Sequence, residues 1–196
     1  MKMKSIVLAI CMLLFMSGCS KETLPEVTPT QTIEAYMSAL KEQNSVEMAK
    51  YTESGQADDF RMSEAECQAM GLSVDVAREF TKIILSFDVT ISNEQIQKEQ
   101  KMASVVVHIQ TYDMLQVLET TAEKEAAAFT DIYEGEGEHD EKNQKISSLL
   151  LAGFQAAEKN YEADITLHMR EQEGVWKLID TMDALYAELI NTAAQA

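Results

Sequence analysis

Between residues 87 and 170, three segments alternate apolar and polar side chains with a period of two, and a fourth, mainly apolar segment follows the last of them at 175–179. The segments are 87–91, 102–112, 161–170 and 175–179. This alternation is typical of strands that place one face on a core and the other in water, as antiparallel sheets do. We expect the first two segments to form a hairpin with a long or bulged connection. Glu173-Gly174 predicts the turn between the last two.

Helical patterns precede these strands. Thr28, Pro29 and Gln31 have the spacing of a capping box with proline in the first helical turn, and apolar residues follow at helical spacing. Asn44-Ser45 begins a short second helix. Residues 63–85 have an apolar stripe that one helix or two helices meeting near Gly71 would explain equally well.

Two further helical patterns separate the strand pairs at about 113–160. Asp113 begins the first, and the acidic stretch 134–141 ends it before the second. We expect an antiparallel helical hairpin inserted between the strand pairs, and a final helix starting at Asp180 or Thr181. The chain is therefore predicted to be α+β, with N-terminal helices on a bent antiparallel sheet and a single domain at 28–196.

The N-terminus has the features of an export signal. Lys2 and Lys4 precede the apolar run 6–16, which is shorter than the roughly 20 residues of a membrane span. The run ends in Met16-Ser17-Gly18-Cys19, which resembles the lipobox of bacterial lipoproteins. That resemblance implies cleavage after residue 18, diacylglycerol on Cys19 and a tether at 19–27. The alternative is an ordinary secretory signal with an incidental cysteine.

These features predict a protein anchored to the outer face of the bacterial cell membrane. The chain has 33 acidic and 16 basic residues, a net charge of −17. Such a surface disfavours nucleic acid, which binds basic footprints, so no nucleic-acid partner is expected. Removal of Cys11 and acylation of Cys19 would leave Cys67 as the one free thiol. Its acidic neighbours Glu64 and Glu66 argue against a reactive thiol, so we interpret Cys67 as a buried or half-buried small apolar residue.

The order of the parts also resembles a known family. The segment 33–40, the recap at Asn44-Ser45 and the terminal hairpin 173–178 resemble small Gram-positive lipoproteins with a cystatin-like domain of the nuclear-transport-factor-2 superfamily. The resemblance implies a bent sheet folded around the first helices into a cone, which some members use as a ligand pocket or active site. The helices at 113–160 are an addition to that plan.

Four residues are candidates for contact with a ligand in such a cone: Tyr36, Asp88, His108 and Tyr112. Asp88 is the acid that a cone-type lyase or isomerase would use if it were desolvated, with a tyrosine as donor. The alternative is an ordinary exposed aspartate on the wet face of the sheet. No residue is assigned a catalytic role.

Two other groups of side chains invite a chemical interpretation. His108 and His168 lie on the polar faces of their strands. Two interpretations are open: neighbouring strands could bring the histidines together as ligands or as an acid/base pair, or both histidines are solvated strand residues. The acidic stretch 134–141 has oxygen ligands that calcium prefers, but its spacing is not that of an EF-hand. No metal site and no cofactor are therefore expected.

The function predicted from the sequence is a binding or interaction module for a small apolar ligand or an envelope protein. An enzyme using the cone pocket is one alternative. A structural accessory lipoprotein that docks through the helical insertion is another, which a contiguous apolar patch on the insertion would favour.

Overall fold

The computed structural model of the chain describes residues 27–57, 61–69, 72–179 and 183–190. The expected signal peptide, Cys19 and all but the last residue of the 19–27 tether lie outside these ranges. Among the described residues, no helix is both long enough and apolar enough to cross a membrane.

Helices and strands follow one another in a mixed order. They are α1 (Pro29–Lys41), α2 (Ser45–Ala49), α3 (Glu64–Ala69), α4 (Val74–Ile84), β1 (Asp88–Gln97), β2 (Met102–Thr111), α5 (Met114–Lys124), α6 (Ala126–Glu134), α7 (His139–Ala156), β3 (Tyr161–Gln172), β4 (Val175–Leu178) and α8 (Asp183–Leu189). The predicted α+β class is confirmed.

The described strands form an antiparallel sheet in the order β1-β2-β3-β4. The first strand is longer than expected: β1 continues to Gln97, with a bulge between Ser92 and Gln95, and the short turn Lys98–Gln100 connects it to β2. Glu173 and Gly174 both have positive φ, as a tight hairpin turn requires. At the far edge, Thr52 forms a parallel bridge with Leu178, the last residue of β4.

One face of the sheet carries the core. Along β2 the odd-numbered side chains are buried and the even-numbered ones keep contact with water. The core also takes residues from α1, β3, β4 and α8, including Ile33, Tyr36, Leu40, Leu167, Met169, Trp176, Leu178, Leu185 and Leu189. The predicted wet face is confirmed, and the covered face is called the inner face below.

The local signals in the helical N-terminal half are also confirmed. Thr28 and Gln31 form the reciprocal capping box that starts α1, and Asn44 caps α2. The 63–85 pattern forms two helices, α3 and α4, with a new cap at Ser73. Cys67 in α3 is free and buried, in agreement with its interpretation as a small apolar residue.

The insertion differs from the expected hairpin in one respect. Its first arm is divided at Glu125 into α5 and α6, and α7 forms the second arm. Both ends of the insertion return to the same place, because Thr111 at the end of β2 and Tyr161 at the start of β3 are partners across the sheet.

Candidate functional site

The inner face of the sheet is filled by side chains. Tyr36 and Met37 of α1 lie against a row on β2 in which Val105, Val107 and Ile109 are fully buried. Tyr36 is therefore a core residue of the closed face. A ligand could reach its ring only if the packing between α1 and β2 opened.

Asp88 lies at the start of β1 and belongs to the wet face. Its carboxylate accepts a hydrogen bond from the Lys159 ammonium at 2.8 Å, and Lys159 also donates to the Ser86 carbonyl oxygen. The Asp88 side chain is 66% exposed. The pair ties the linker after α7 to the start of β1, and it leaves Asp88 in water rather than in a closed pocket.

His108 also lies on the wet face. Its Nδ1 is 2.8 Å from Oδ1 of Asp164, the residue directly opposite on β3. The same register places His168 opposite Ser104, four positions away. At about 3.4 Å per residue the two histidines are roughly 14 Å apart. Strand pairing therefore does not bring the two histidines together, and their exposure is consistent with the alternative that both are solvated residues of the wet face.

Tyr112 lies where the insertion leaves the sheet. Its ring packs edge-on against Phe154 of α7 with ring centroids 6.0 Å apart, and Phe80 of α4 contacts Phe154 in the same way. Edge-to-face pairs of this kind stabilise by about 1 kcal/mol beyond the area they bury. These three rings fix α7 between α4 and the end of β2.

Beside these rings, a cleft of about 400 Å³ opens between α5 and α7. Small and apolar residues of α7 form much of one wall, and polar residues of α5 and of the 157–160 linker complete it. The lining residues are Gln116, Val117, Thr120, Thr121, Lys124, Glu125, Leu149, Ala152, Gly153, Ala156, Ala157, Glu158 and Asn160. Ligand pockets in proteins commonly measure 300–1,000 Å³, so the volume suits a small molecule.

Two contacts hold the cleft at one end. Gly153 lets α7 approach α5 closely, since a Cβ at this position would lie 2.0 Å from Oγ1 of Thr121. Asn160 accepts a hydrogen bond from the Asp113 amide at 3.2 Å and donates to the Gln116 side chain. The helices therefore touch at Gly153 and are held to the linker through Asn160.

The acidic stretch 134–141 spans the end of α6, a loop and the first turn of α7. Asp140 and Glu141 lie in that first turn, where the helix dipole favours negative charge. In the described ranges, no three acidic, histidine or cysteine side chains converge in a way that would hold a metal ion.

The α5–α7 cleft was not among the sites predicted from the sequence. The available signal was the pair of small-residue steps Ala152-Gly153 and Ala156-Ala157, which place small side chains on successive turns of one helix. That signal is weak, because it becomes meaningful only when a second helix is known to approach the same face.

Comparison with known proteins shows a likeness of fold. No protein-family model matches the chain, and no curated protein matches it significantly. A crystal structure described as that of a "putative lipoprotein (ycdA)" from Bacillus subtilis subsp. subtilis str. 168 is similar, with 15% identity and a TM-score of 0.51. The match covers 82% of this chain and 54% of that one, so the chain spans about half the length of this neighbour. The cystatin-like cone stays a prediction.

Proposed function

We propose that the chain is an extracytoplasmic lipoprotein, anchored to the outer face of the cell membrane by acylated Cys19, whose domain binds a small, mainly apolar ligand. Support for the anchor comes from the Met16-Ser17-Gly18-Cys19 motif and from a fold neighbour that is itself described as a lipoprotein. Support for binding comes from the α5–α7 cleft.

The α5–α7 cleft is the feature of the structure that supports ligand binding. The inner face of the sheet is packed, whereas the cleft offers about 400 Å³ lined by apolar groups such as Val117 and Leu149. Thr120 and Gln116 add polar groups that would orient a ligand. Seven of the thirteen lining residues are polar or charged, so the cleft is amphipathic: its apolar groups would bury part of a ligand, and its polar groups would orient it.

The same geometry supports a cone-pocket enzyme less well than it supports a binding module. A general acid or base in a cone pocket needs a desolvated group facing substrate. Asp88 is mostly exposed and paired with Lys159, and His108 pairs with Asp164 on the wet face. Neither nominated residue faces the closed inner side of the sheet.

A second candidate function is docking onto another envelope protein through α6. In this helix Phe129 and Ile132 are half-buried, and Tyr133 is 81% exposed. A large aromatic side chain left in water beside half-buried apolar residues is the feature that supports an interaction surface here. Tyr133→Asp would abolish such docking without affecting ligand binding in the cleft.

The anchor is tested in cells that export the full chain. The wild type should gain the mass of its acyl groups by mass spectrometry and partition into the detergent phase, and Cys19→Ala should do neither. Cys11→Ala is the matched control and should behave as the wild type. If Cys19→Ala leaves both mass and partitioning unchanged, the incidental-cysteine alternative is correct.

Ligand binding is tested with the fluorescent apolar probe N-phenyl-1-naphthylamine. The wild type should bind it saturably, and Ala156→Trp, which fills the cleft from an exposed position, should weaken binding at least tenfold. Ala127→Trp on the exposed side of α6 is the matched control and should bind as the wild type does. An equal affinity in all three proteins would place the probe elsewhere and refute the cleft.

A further inference from the structure

A second groove, of about 320 Å³, lies between α1 and β1 and is separate from the α5–α7 cleft. On the α1 side it is lined by Glu34, Met37, Ser38 and Lys41, which share one face of the helix because they are three, four and seven residues apart. On the β1 side it is lined by Val89 and Ile91. Met37 is buried beneath it, so its base is apolar.

The strand that forms this groove has an open edge. Within the described part of the chain, β1 pairs with β2 on one side, and no backbone hydrogen bond closes its other side. Every second residue of an edge strand directs its N–H and C=O groups away from the sheet. At the opposite edge, Thr52 pairs with Leu178 at the end of β4. The unpaired backbone therefore lies beside the groove.

The direction of α1 relative to β1 follows from contacts at its two ends. Near its start, the Thr30 amide and hydroxyl donate to Glu94, in the later half of β1. At its end, the Lys41 ammonium lies 4.6 Å from the centre of the Phe87 ring, just before β1 begins. The helix and the strand therefore run in opposite directions.

The groove consequently has a basic end and an acidic end. Lys41 lies at the end nearest the start of β1, and Glu34 lies two helical turns earlier, about 10 Å away along the helix axis. No described carboxylate forms an ion pair with Lys41, in a chain whose net charge is −17. Burial lowers the pKa of Lys41, Asp88 opposes this effect, and Lys159 adds to it.

We propose that this groove receives the carboxyl-terminal segment of an extended peptide, which adds to the sheet antiparallel to β1. In that direction the peptide carboxylate meets Lys41, and the other end of the segment approaches Glu34. At about 3.4 Å per residue, three to four peptide residues span the distance between those two charges. Alternate side chains contact Val89, Ile91 and Met37, and main-chain hydrogen bonds to β1 supply affinity that is independent of sequence.

A second copy of the chain is a poorer occupant of the same edge. Pairing β1 with its own copy would bring together two chains of net charge −17, and each β1 carries the acidic residues Asp88 and Glu94. A short peptide terminus brings one carboxylate to one lysine instead. This proposal does not depend on the ligand of the α5–α7 cleft.

The experiment titrates the ¹⁵N-labelled exported chain with the pentapeptide Val-Ser-Val-Ser-Val and follows amide shifts by NMR. Shifts should concentrate on alternate amides of β1 and on α1. The free acid should bind at least fivefold more tightly than the carboxamide, because the carboxamide offers Lys41 no charge. N-methylation of every second peptide residue removes main-chain donors. Of the two possible alternating patterns, the one that methylates the amides facing β1 should abolish binding.

Two variants test the groove itself. Lys41→Gln should remove the preference for the free acid, and Lys82→Gln, an exposed lysine of α4 paired with Glu79, is the matched control and should keep it. Ser38→Trp fills the groove from an exposed position and should abolish binding. It tests the groove independently if Lys41→Gln does not fold. The proposal is overturned if the shifts map to α5 and α7, if acid and carboxamide bind equally, or if the peptide merely dissociates a dimer formed through β1.

Discussion

Replacing Gly153 by alanine tests how closely α5 and α7 approach. A Cβ on Gly153 would lie 2.0 Å from Thr121 Oγ1 and 3.0 Å from both Cβ and Cγ2 of Thr121. Ordinary carbon–oxygen contacts are at about 3.3 Å or more, so the helices would have to separate by more than about 1 Å at this point. Overpacking of this kind costs about 1–3 kcal/mol.

A second effect has the opposite sign. Alanine is favoured over glycine inside a helix by about 1 kcal/mol. We expect the crowding to exceed that gain, so Gly153→Ala should lower the free energy of unfolding by about 1–2 kcal/mol in urea denaturation followed by circular dichroism.

The double variant Thr121→Ala/Gly153→Ala tests whether contact with Thr121 causes the loss of stability. Thr121→Ala removes Oγ1 and Cγ2, so Gly153→Ala should cost at least 1 kcal/mol less in that background. Ala152→Gly, one residue earlier in α7, is the matched control: it should cost about 1 kcal/mol with threonine or alanine at residue 121. A Gly153→Ala variant that is more stable than the wild type, and additive with Thr121→Ala, would refute a close approach of the helices.

Three further outcomes follow from other contacts. Tyr161 donates a hydrogen bond to Glu188, which together with burial raises the pKa of Tyr161 to about 12. Tyr161→Phe should therefore lower the free energy of unfolding by about 1 kcal/mol. The raised pKa favours the neutral tyrosine in the folded state. In urea titrations the difference between the two proteins should therefore hold below about pH 10 and disappear between pH 10 and 12. Phe154→Ala should cost about 3–5 kcal/mol by the same assay, and a cost below 1 kcal/mol would contradict its place between two rings. Lys159→Met should lower the free energy of unfolding by about 1–2 kcal/mol, and Asp88→Asn by less than about 1 kcal/mol. The two differ because Lys159 also donates a hydrogen bond to the Ser86 carbonyl oxygen. Equal losses would show that only the ion pair contributes.

The sheet was predictable because its two faces differ in solvent exposure. A period-two pattern specifies which side chains face the core, and Glu173-Gly174 specifies a turn through residues that accept positive φ. The start of α1 was predictable because a capping box is local in sequence. These signals need no knowledge of what lies across the molecule.

The candidate sites were less predictable because they depend on pairs of distant elements. His108 and His168 both read as polar-face residues, and only the register shows that one faces Asp164 and the other Ser104. The spacing of Glu34 and Lys41 on α1 is visible in the sequence, but its interest depends on β1 being the open edge of the sheet. That edge is set by which strands pair, which the period of two does not specify.

The meeting of Thr111 and Tyr161 has a consequence for how such a molecule changes over evolutionary time. The chain leaves the sheet and re-enters it at neighbouring positions, so the roughly 50 residues between them can be exchanged, shortened or lost without displacing a strand. Closing a loop of that length costs only about 2 kcal/mol more than closing a four-residue turn. The strands can therefore be inherited as a constant frame while the helices between β2 and β3 diverge, so a new ligand preference can arise by replacing one continuous segment.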